Sequence, residues 1–136
     1  IEVVVAPDAG FQKDATKYAE EIGVPVVVLN KARSATGDSR IVVSSDLSQL
    51  AGKRIAIIDD ETASGGTLAH AAQYIKESGA GFILAVVTHL AGNASSALNS
   101  KYIDMFVSTN SLPAGQGDKL QTLDVAPEVA NILKRW

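Results

Sequence analysis

The sequence predicts an α/β domain built on a doubly wound, mainly parallel β-sheet. Short apolar and β-branched segments alternate with segments in which apolar residues recur at helical spacing. The apolar segments are nearly continuous, as expected for strands that are buried on both faces of a parallel sheet. The loops are short, which favours strand, helix, strand units with right-handed crossovers. The strongest strand candidates are Ile1–Ala6, Val24–Leu29, Ile55–Ile58 and Phe82–Thr88.

The composition is that of an ordinary folded protein. With 136 residues, 46% of them hydrophobic and 20% charged, the chain is expected to form one domain over residues 1–136. The net charge of −3 excludes the basic surface that nucleic-acid binding requires. The absence of cysteine excludes disulfides and thiolate metal sites, and it suits the cytoplasm, which is the expected location. The apolar runs are much shorter than the roughly 20 residues of a membrane span.

The first half of the chain contains one complete strand, helix, strand unit. After the first strand, Pro7–Gly10 forms a turn, and Phe11–Ile22 carries apolar residues at helical spacing. Val24–Leu29 is then the next strand. The small, polar segment Ser34–Arg40 predicts a mobile loop, and Ile41–Ser44 predicts a short strand.

The second half continues the alternation of strands and helices. The core strand Ile55–Ile58 is expected to end at Asp59, and Thr67–Ser78 is expected to be a helix with its apolar residues on one face. Phe82–Thr88 is the next buried strand. Asn93–Leu98 is expected to form a short helix, and Ile103–Ser108 and Leu120–Leu123 are expected to be strands. Ala126–Lys134 is expected to be a terminal helix.

The chain is organised around the stretch Arg54–Leu68, which reads RIAIIDDETASGGTL. Its strand leads directly into the adjacent carboxylates Asp59 and Asp60. Open α/β sheets bind ligands at the C-terminal ends of their strands, so these side chains are expected at a ligand site. Two neighbouring ionised side chains repel each other, and a structural turn needs only one of them. The pair therefore predicts recognition of a ligand that carries vicinal hydroxyl groups.

A Gly-Gly-Thr turn follows the carboxylates and leads into the next helix. Gly65 and Gly66 permit a positive φ and a close approach of the backbone to a bound group. Ser64 or Thr67 can cap the helix, and the N–H groups of the first helical turn attract an anion. Such a turn also occurs as a simple strand-to-helix connection. Combined with the two carboxylates, it predicts a cradle for a sugar phosphate such as ribose phosphate.

Charged residues after two other strands are expected at the same edge of the sheet. Asp8 is either a turn residue or an oxygen ligand that helps to hold Mg²⁺ between phosphates. Lys31 and Arg33 are either a solvated surface pair or the cations of a loop that closes over substrate. In the second case they would stabilise the negative charge of a phosphoryl group in transfer.

Other polar residues give weaker signals. With two histidines and no cysteine a zinc site is not expected, so His89 is interpreted as a hydrogen-bonded structural or lining residue. His70 lies within a predicted helix, where it is exposed or packed. Ser64 has no histidine and acid at the spacing of a hydrolase triad. Trp136 either covers apolar surface or packs on another chain.

Several stretches, taken in order, resemble the C-terminal half of the ribose-phosphate pyrophosphokinase family, which has the type I phosphoribosyltransferase fold. The Arg54–Leu68 stretch resembles the phosphoribosyl pyrophosphate signature of that fold. The matching stretches are VAPDAG at 5–10, KAR at 31–33, DDETASGGT at 59–67, VTH at 87–89, STNSLP at 108–113 and DVAPEVA at 124–130. They span almost the whole chain.

The resemblance implies transfer of the β,γ-diphosphoryl group of ATP to the 1-hydroxyl of ribose 5-phosphate, with Mg²⁺ required. The products would be phosphoribosyl pyrophosphate and AMP. It also implies roles for individual residues: Lys31 as the catalytic lysine with Arg33 as its partner, Asp59 and Asp60 on the ribose hydroxyls, Ala63, Ser64, Gly65, Gly66 and Thr67 around the 5-phosphate, and Asp8 on a magnesium ion.

The sequence departs from the family pattern at three positions. Phe11 stands where the family usually has a second glycine, Ala63 replaces a common acidic residue, and Ser64 replaces the usual threonine. In the family, an N-terminal domain of the same fold supplies most of the nucleotide pocket. The chain is therefore expected to be part of a longer, homo-oligomeric enzyme and to be inactive on its own.

Two other functions remain open from the sequence. A phosphoribosyltransferase would consume phosphoribosyl pyrophosphate and add a base, but no segment here is long enough to form the hood that reads the base. A non-catalytic subunit associated with the synthetase would share the fold without the activity. The presence of Lys31, Arg33, Asp59 and Asp60 argues against loss of activity.

Overall fold

The computed structural model describes residues 1–33, 39–43, 47–113 and 115–136, with 31–33 and 39–43 described by their backbone alone. The strands are β1 (Val3–Ala6), β2 (Val26–Arg33), β3 (Ser39–Val43), β4 (Arg54–Thr62), β5 (Phe82–Leu90), β6 (Met105–Thr109) and β7 (Leu120–Leu123). The helices are α1 (Gln12–Ile22), α2 (Gly66–Glu77), α3 (Ser95–Leu98) and α4 (Ala126–Leu133), with a 3₁₀ turn at Leu47–Leu50.

The described strands form one sheet in the order β3-β2-β1-β4-β5-β6-β7. Every neighbouring pair is parallel except β2 and β3, which run antiparallel. The strand order runs one way from β1 to β2 and the other way from β1 to β4. The sheet therefore has a topological switch point between β1 and β4, where doubly wound folds bind their ligands.

Helices cover both faces of the sheet, as the continuous apolar strands predict. Alternate residues of β1 enter different cores: Val3 and Val5 pack with α2, whereas Val4 and Ala6 pack with α1. Because side chains alternate across a strand, α1 and α2 lie on opposite faces. The predicted doubly wound, mainly parallel α/β fold is confirmed.

Strand β4 is longer than the sequence predicts. It does not end at Asp59 but continues to Thr62, so that both aspartates lie within the strand. The extension is stabilised by parallel pairing with β5, which aligns Asp59 with Val87 and Thr62 with Leu90. Strand β5 likewise continues past Thr88 to Leu90. The sequence did not predict these extensions, because the residues that continue each strand are mostly polar and do not continue its apolar run.

Strand β2 also extends beyond its predicted end at Leu29. It reaches Arg33 because its last residues pair antiparallel with β3, with Lys31 opposite Ile41 and Arg33 opposite Ser39. Both cationic residues are therefore in a strand and not in a loop. Residues 34–38 of the predicted mobile loop lie outside the described residues.

The other elements agree with the sequence in type and differ in length by a few residues. Strand β7 has the predicted bounds, and the last helix, α4, ends one residue earlier than predicted. Helix α2 begins at Gly66, one residue before its predicted start. Among the described residues, none of the helices combines the length and the apolar character that crossing a bilayer requires.

Candidate functional site

The carboxylates predicted from separate parts of the sequence meet at the switch point. Asp8 follows β1 and Asp59 and Asp60 are near the end of β4, and together with Glu61 they line one pocket of about 380 Å³. The Asp60 N–H donates to Asp59 Oδ1 at 3.0 Å, and the Glu61 N–H donates to Asp60 Oδ1 at 2.8 Å. These bonds hold the carboxylates in place at an edge that is rich in hydrogen-bond acceptors and can receive the hydroxyl groups of a sugar.

Asp59 has a markedly perturbed acidity. Partial burial raises its pKa from the ordinary 3.8 to about 6, and the charges of Asp60 and Asp8 act in the same direction. The hydrogen bond from the Asp60 backbone opposes this rise. Such a perturbation in a cleft is typical of functional carboxylates, because a structural role does not require charge to be buried beside like charge.

Asp8 has a structural role in its turn. Its Oδ1 accepts hydrogen bonds from the N–H groups of Gly10 at 2.9 Å and Phe11 at 3.4 Å, the second of which is long. The structure therefore supports the turn interpretation. Phe11 is buried against α1, with 8% of its surface exposed, and it also lines the same pocket as Asp8.

The residues present suit one mode of magnesium binding. Within the described ranges, no group of three or more Asp, Glu, His or Cys is arranged to hold a metal ion. Mg²⁺ usually binds one or two carboxylates together with waters and substrate phosphates. Asp8 fits this mode as a single hard oxygen donor, because its side chain lines the same pocket as Asp59 and Asp60.

The Gly-Gly-Thr turn forms the entrance to α2. Gly65 is the residue before the helix and has a φ of 80°, so the predicted positive φ is confirmed there. Of the two glycines in this turn, Gly66 does not have a positive φ. The residue before the helix, Gly65, has no side chain that could cap it, and of the two predicted caps the Ser64 hydroxyl accepts from the N–H of Gly66, the first residue of α2. The left-handed conformation of Gly65 turns the chain from strand to helix within one residue.

Two amides of the turn have partners within the chain. The Gly65 N–H donates to Thr62 Oγ1 at 3.1 Å, and the Gly66 N–H donates to Ser64 Oγ at 3.3 Å. Thr62 is buried, so its hydroxyl holds Gly65 from inside, whereas Ser64 is exposed and can rotate away. The role of Thr62 was not predicted from the sequence. The sequence pattern that could have indicated this role is a hydroxyl residue three positions before a glycine that needs a positive φ.

Lys31 and Arg33 lie beyond the same edge of the sheet as the carboxylates. One row of the sheet contains Val27 of β2, Val5 of β1 and Ile57 of β4. Lys31 lies four residues beyond this row along β2, and Asp59 lies two residues beyond it along β4. At about 3.3 Å per residue and 4.8 Å per strand, the backbones of Lys31 and Asp59 are roughly 12 Å apart. That spacing leaves room for a substrate between them. The side chains of Lys31 and Arg33 lie outside the described residues.

His89 is hydrogen-bonded, as expected from the sequence. Its Nδ1 lies 2.9 Å from Ser111 Oγ, and the Ser111 hydroxyl in turn lies 3.0 Å from the carbonyl oxygen of Thr88. His70 is exposed on α2. Trp136 is 99% exposed and covers no apolar surface among the described residues.

The fold and the edge together define the class of protein. A doubly wound sheet carries acidic residues and a glycine turn at its switch point, which is where open α/β folds bind their ligands. The family model for the phosphoribosyl transferase domain matches residues 1–119. The chain therefore belongs to the phosphoribosyl transferase domain family.

Within this family, the chain is similar to ribose-phosphate pyrophosphokinases. The chain is 32% identical to a ribose-phosphate pyrophosphokinase of Helicobacter pylori, over 98% of this chain and 42% of that protein. It is 33% identical to a ribose-phosphate pyrophosphokinase of Clostridium perfringens, over 98% of this chain and 43% of that protein. The chain thus spans about two fifths of the length of these relatives.

Solved structures agree with this placement. A phosphoribosylpyrophosphate synthetase from Mycobacterium smegmatis superposes with a TM-score of 0.80 at 31% identity, covering 98% of this chain and 44% of that one. An adenine phosphoribosyltransferase from Giardia lamblia has a TM-score of 0.61 at 21% identity, covering 79% of this chain and 68% of that one. The second likeness shows the shared fold alone.

Proposed function

We propose that this chain supplies the ribose 5-phosphate site of a ribose-phosphate diphosphokinase. The observation that carries the proposal is the junction of β4 and α2, where two aspartates and a left-handed glycine turn follow one another at the switch point. Carboxylates suit the ribose hydroxyls, and a helix N-terminus suits the 5-phosphate. The matched ribose-phosphate pyrophosphokinases support the same assignment.

In the proposed reaction, the 1-hydroxyl oxygen of ribose 5-phosphate attacks the β-phosphorus of ATP. A bond forms between them while the bond from that phosphorus to the α,β-bridging oxygen breaks, so AMP leaves and the hydroxyl proton is lost. The chain's own contribution is to hold the acceptor. Asp59 and Asp60 orient the ribose, and Ala63, Ser64, Gly65, Gly66 and Thr67 surround the 5-phosphate.

Lys31 and Arg33 are proposed to act on the nucleotide side. Charge that spreads over the transferred diphosphoryl group is stabilised by fixed cations, which is the main contribution of proteins to such reactions. Their place on the β2–β3 hairpin, beyond the carboxylate edge, supports this role. Asp8 is proposed to hold a magnesium ion, which neutralises phosphate charge when bound.

The nucleotide pocket is proposed to need a further part of the protein, outside these 136 residues. The relatives are more than twice as long as the matched region. In addition, α4 buries none of its residues, and Val129, Ile132 and Leu133 are 50%, 57% and 66% exposed. Helices with an exposed apolar stripe are stabilised when that stripe packs against another surface. We propose that this stripe packs on the remainder of a longer, homo-oligomeric enzyme.

The test is calorimetric titration of ribose 5-phosphate, with ribose and inorganic phosphate as partial ligands. We expect ribose 5-phosphate to bind more tightly than either partial ligand, because only it engages both the carboxylates and the turn. The substitution Asp60→Asn should weaken the binding of ribose 5-phosphate and leave the affinity for inorganic phosphate unchanged. Equal affinity for ribose 5-phosphate and phosphate would contradict the proposed division of the site.

A coupled assay separates the enzymatic alternatives. AMP release that requires both ATP and ribose 5-phosphate is the result expected of the complete enzyme. Pyrophosphate release from phosphoribosyl pyrophosphate that depends on an added nucleobase would instead identify a phosphoribosyltransferase. Binding of ribose 5-phosphate with neither activity in the complete enzyme would identify the non-catalytic subunit.

A further inference from the structure

A segment that follows β5 lies directly against the glycine turn. Residues 91–98 run from the end of β5 through the short helix α3, and we call them the 91–98 segment. Three of its N–H groups donate to consecutive carbonyl oxygens of the turn, each at 2.9 Å: Ala91 to Thr62, Ala94 to Ala63, and Ser96 to Ser64. The carbonyl groups that lead into Gly65 are therefore all held by one neighbouring segment.

The packing between the two segments leaves no spare volume. A Cβ on Gly65 would lie 2.6 Å from the Cβ of Ala97 and 2.8 Å from its nitrogen. A Cβ on Gly92 would lie 2.6 Å from the carbonyl oxygen of Ala63. Ala94 and Ala97 are both fully buried. Small residues are therefore required on both sides of the contact, because a larger side chain would displace the turn.

The backbone of the 91–98 segment is itself unusual. Ala94 has a φ of 47°, a left-handed conformation that is uncommon for residues with a side chain. This conformation directs the Ala94 N–H to Ala63, while the Ala94 carbonyl accepts from the N–H groups of Ala97 and Leu98. Strained backbone persists only where its surroundings fix it, and here it serves the contact with the turn.

These contacts also account for the glycine at position 65. Its N–H is held by Thr62 and its Cβ position is filled by Ala97, so Gly65 faces the protein on both sides. By contrast, a Cβ on Gly66 would meet only Ser64 Oγ, at 3.5 Å. The open side of the turn is therefore at Gly66, and the 91–98 segment supports the closed side.

We propose that the 91–98 segment is a positioning element for the phosphate end of the site, and that Gly92 and Ala97 are its key residues. This inference rests on the proposed function. The segment directs the amides at the start of α2 towards the 5-phosphate without touching the substrate. It does not act on the carboxylates, so its loss selectively weakens recognition of the phosphate.

The test combines two variants that disturb the contact with two matched controls. Gly92→Ala and Ala97→Val add atoms at the contact. Gly52→Ala is the glycine control. Gly52 has a φ of 71° and no atom within 4 Å of its Cβ position, so this variant is destabilised by its backbone conformation at a site away from the turn. Ala19→Val is the alanine control, because Ala19 is buried in the core on the opposite face of the sheet.

Two readouts are needed in the folded variants. Hydrogen exchange of the amides at 65–68 should become faster in Gly92→Ala and Ala97→Val and stay unchanged in both controls. The Kd for ribose 5-phosphate should rise about tenfold or more in the same two variants, since a small misplacement of a binding group has effects of that order. In the complete enzyme, the KM for ribose 5-phosphate should rise while the KM for ATP changes by less than about twofold.

The outcomes separate this inference from the proposed function. If the unmodified protein does not bind ribose 5-phosphate, the proposed function fails, and faster exchange at 65–68 would still show that the segment fixes the turn. If the unmodified protein binds and the two variants bind equally well, the positioning role is refuted. Should Ala97→Val fail to fold, Ala97→Gly replaces it, because removal of the methyl group loosens the contact without a clash.

Discussion

Asp59→Asn should stabilise the folded protein while destroying its ligand site. The pKa of Asp59 is about 6 in the folded state, against an ordinary value of 3.8. One pKa unit corresponds to about 1.36 kcal/mol, so the ionised side chain destabilises the folded state by at most ~3 kcal/mol. Because Asp59 is only partly buried and solvent screens its charge, we expect about 1–2 kcal/mol.

The pH dependence of this effect follows from the direction of the pKa change. The carboxyl group is neutral in both states below the unfolded pKa of 3.8, so Asp59 has no cost there. As the pH rises towards about 6, the unfolded chain loses its proton before the folded one, and the free energy of unfolding falls. The full cost is present above that pH. The gain from Asp59→Asn should therefore appear at neutral pH and shrink to a small fraction of that value near pH 4.

Urea denaturation at about pH 4 and at about pH 7.5 measures this difference. Asp118→Asn is a matched control, because Asp118 is exposed and its replacement should change stability by less than about 0.5 kcal/mol at either pH. Calorimetry at neutral pH should show that Asp59→Asn no longer binds ribose 5-phosphate. An Asp59→Asn variant that is less stable than the unmodified protein at neutral pH, or equally stabilised at both pH values, would refute the reasoning.

Three further predictions test other parts of the site. Lys31→Ala should reduce kcat about 10²- to 10³-fold in the AMP-release assay and leave ribose 5-phosphate affinity unchanged, whereas a parallel loss of affinity would place Lys31 on the acceptor. Thr62→Val should lower the free energy of unfolding by about 1–3 kcal/mol in urea titration, because it leaves the buried Gly65 N–H without an acceptor; Thr62→Ser should be close to the unmodified protein. Ile132→Ser should change the urea midpoint of this domain little, because Ile132 is 57% exposed, but it should weaken assembly of the complete enzyme in analytical ultracentrifugation.

The fold could be predicted from the sequence because its strongest signals are local. Each buried strand is a continuous apolar run, and each helix has an apolar face, so element type follows from periodicity. The ends of β2 and β4 could not be predicted in this way. Lys31 and Asp59 are polar, and they are in strands because a neighbouring strand pairs with them, which is tertiary information.

The candidate site shows the same division. Asp59, Asp60 and Gly65 could be located because adjacent carboxylates followed by a glycine turn, directly after a buried strand, form a local pattern that is typical of ligand sites. Thr62 and Ala97 could not, because their roles depend on hydrogen bonds and packing between segments. A buried alanine gives no signal in a single sequence, although here the methyl group of Ala97 lies directly against Gly65.

The two ends of the cradle differ in what holds them: packing and hydrogen bonds hold the glycine turn, whereas like charges meet at the carboxylates. The turn is held by hydrogen bonds and by packing without spare volume, so we expect its geometry to be set before a phosphate binds. The carboxylate end is instead electrostatically strained, since Asp59 is partly buried beside Asp60 and Asp8. Hydroxyl groups or a cation that stabilise the ionised form of Asp59 would relieve that strain and lower its pKa. Phosphate recognition should therefore vary little between about pH 6 and 8 beyond the ionisation of the ligand itself, whereas ribose recognition should strengthen as the pH rises through about 6 and should be accompanied by proton release.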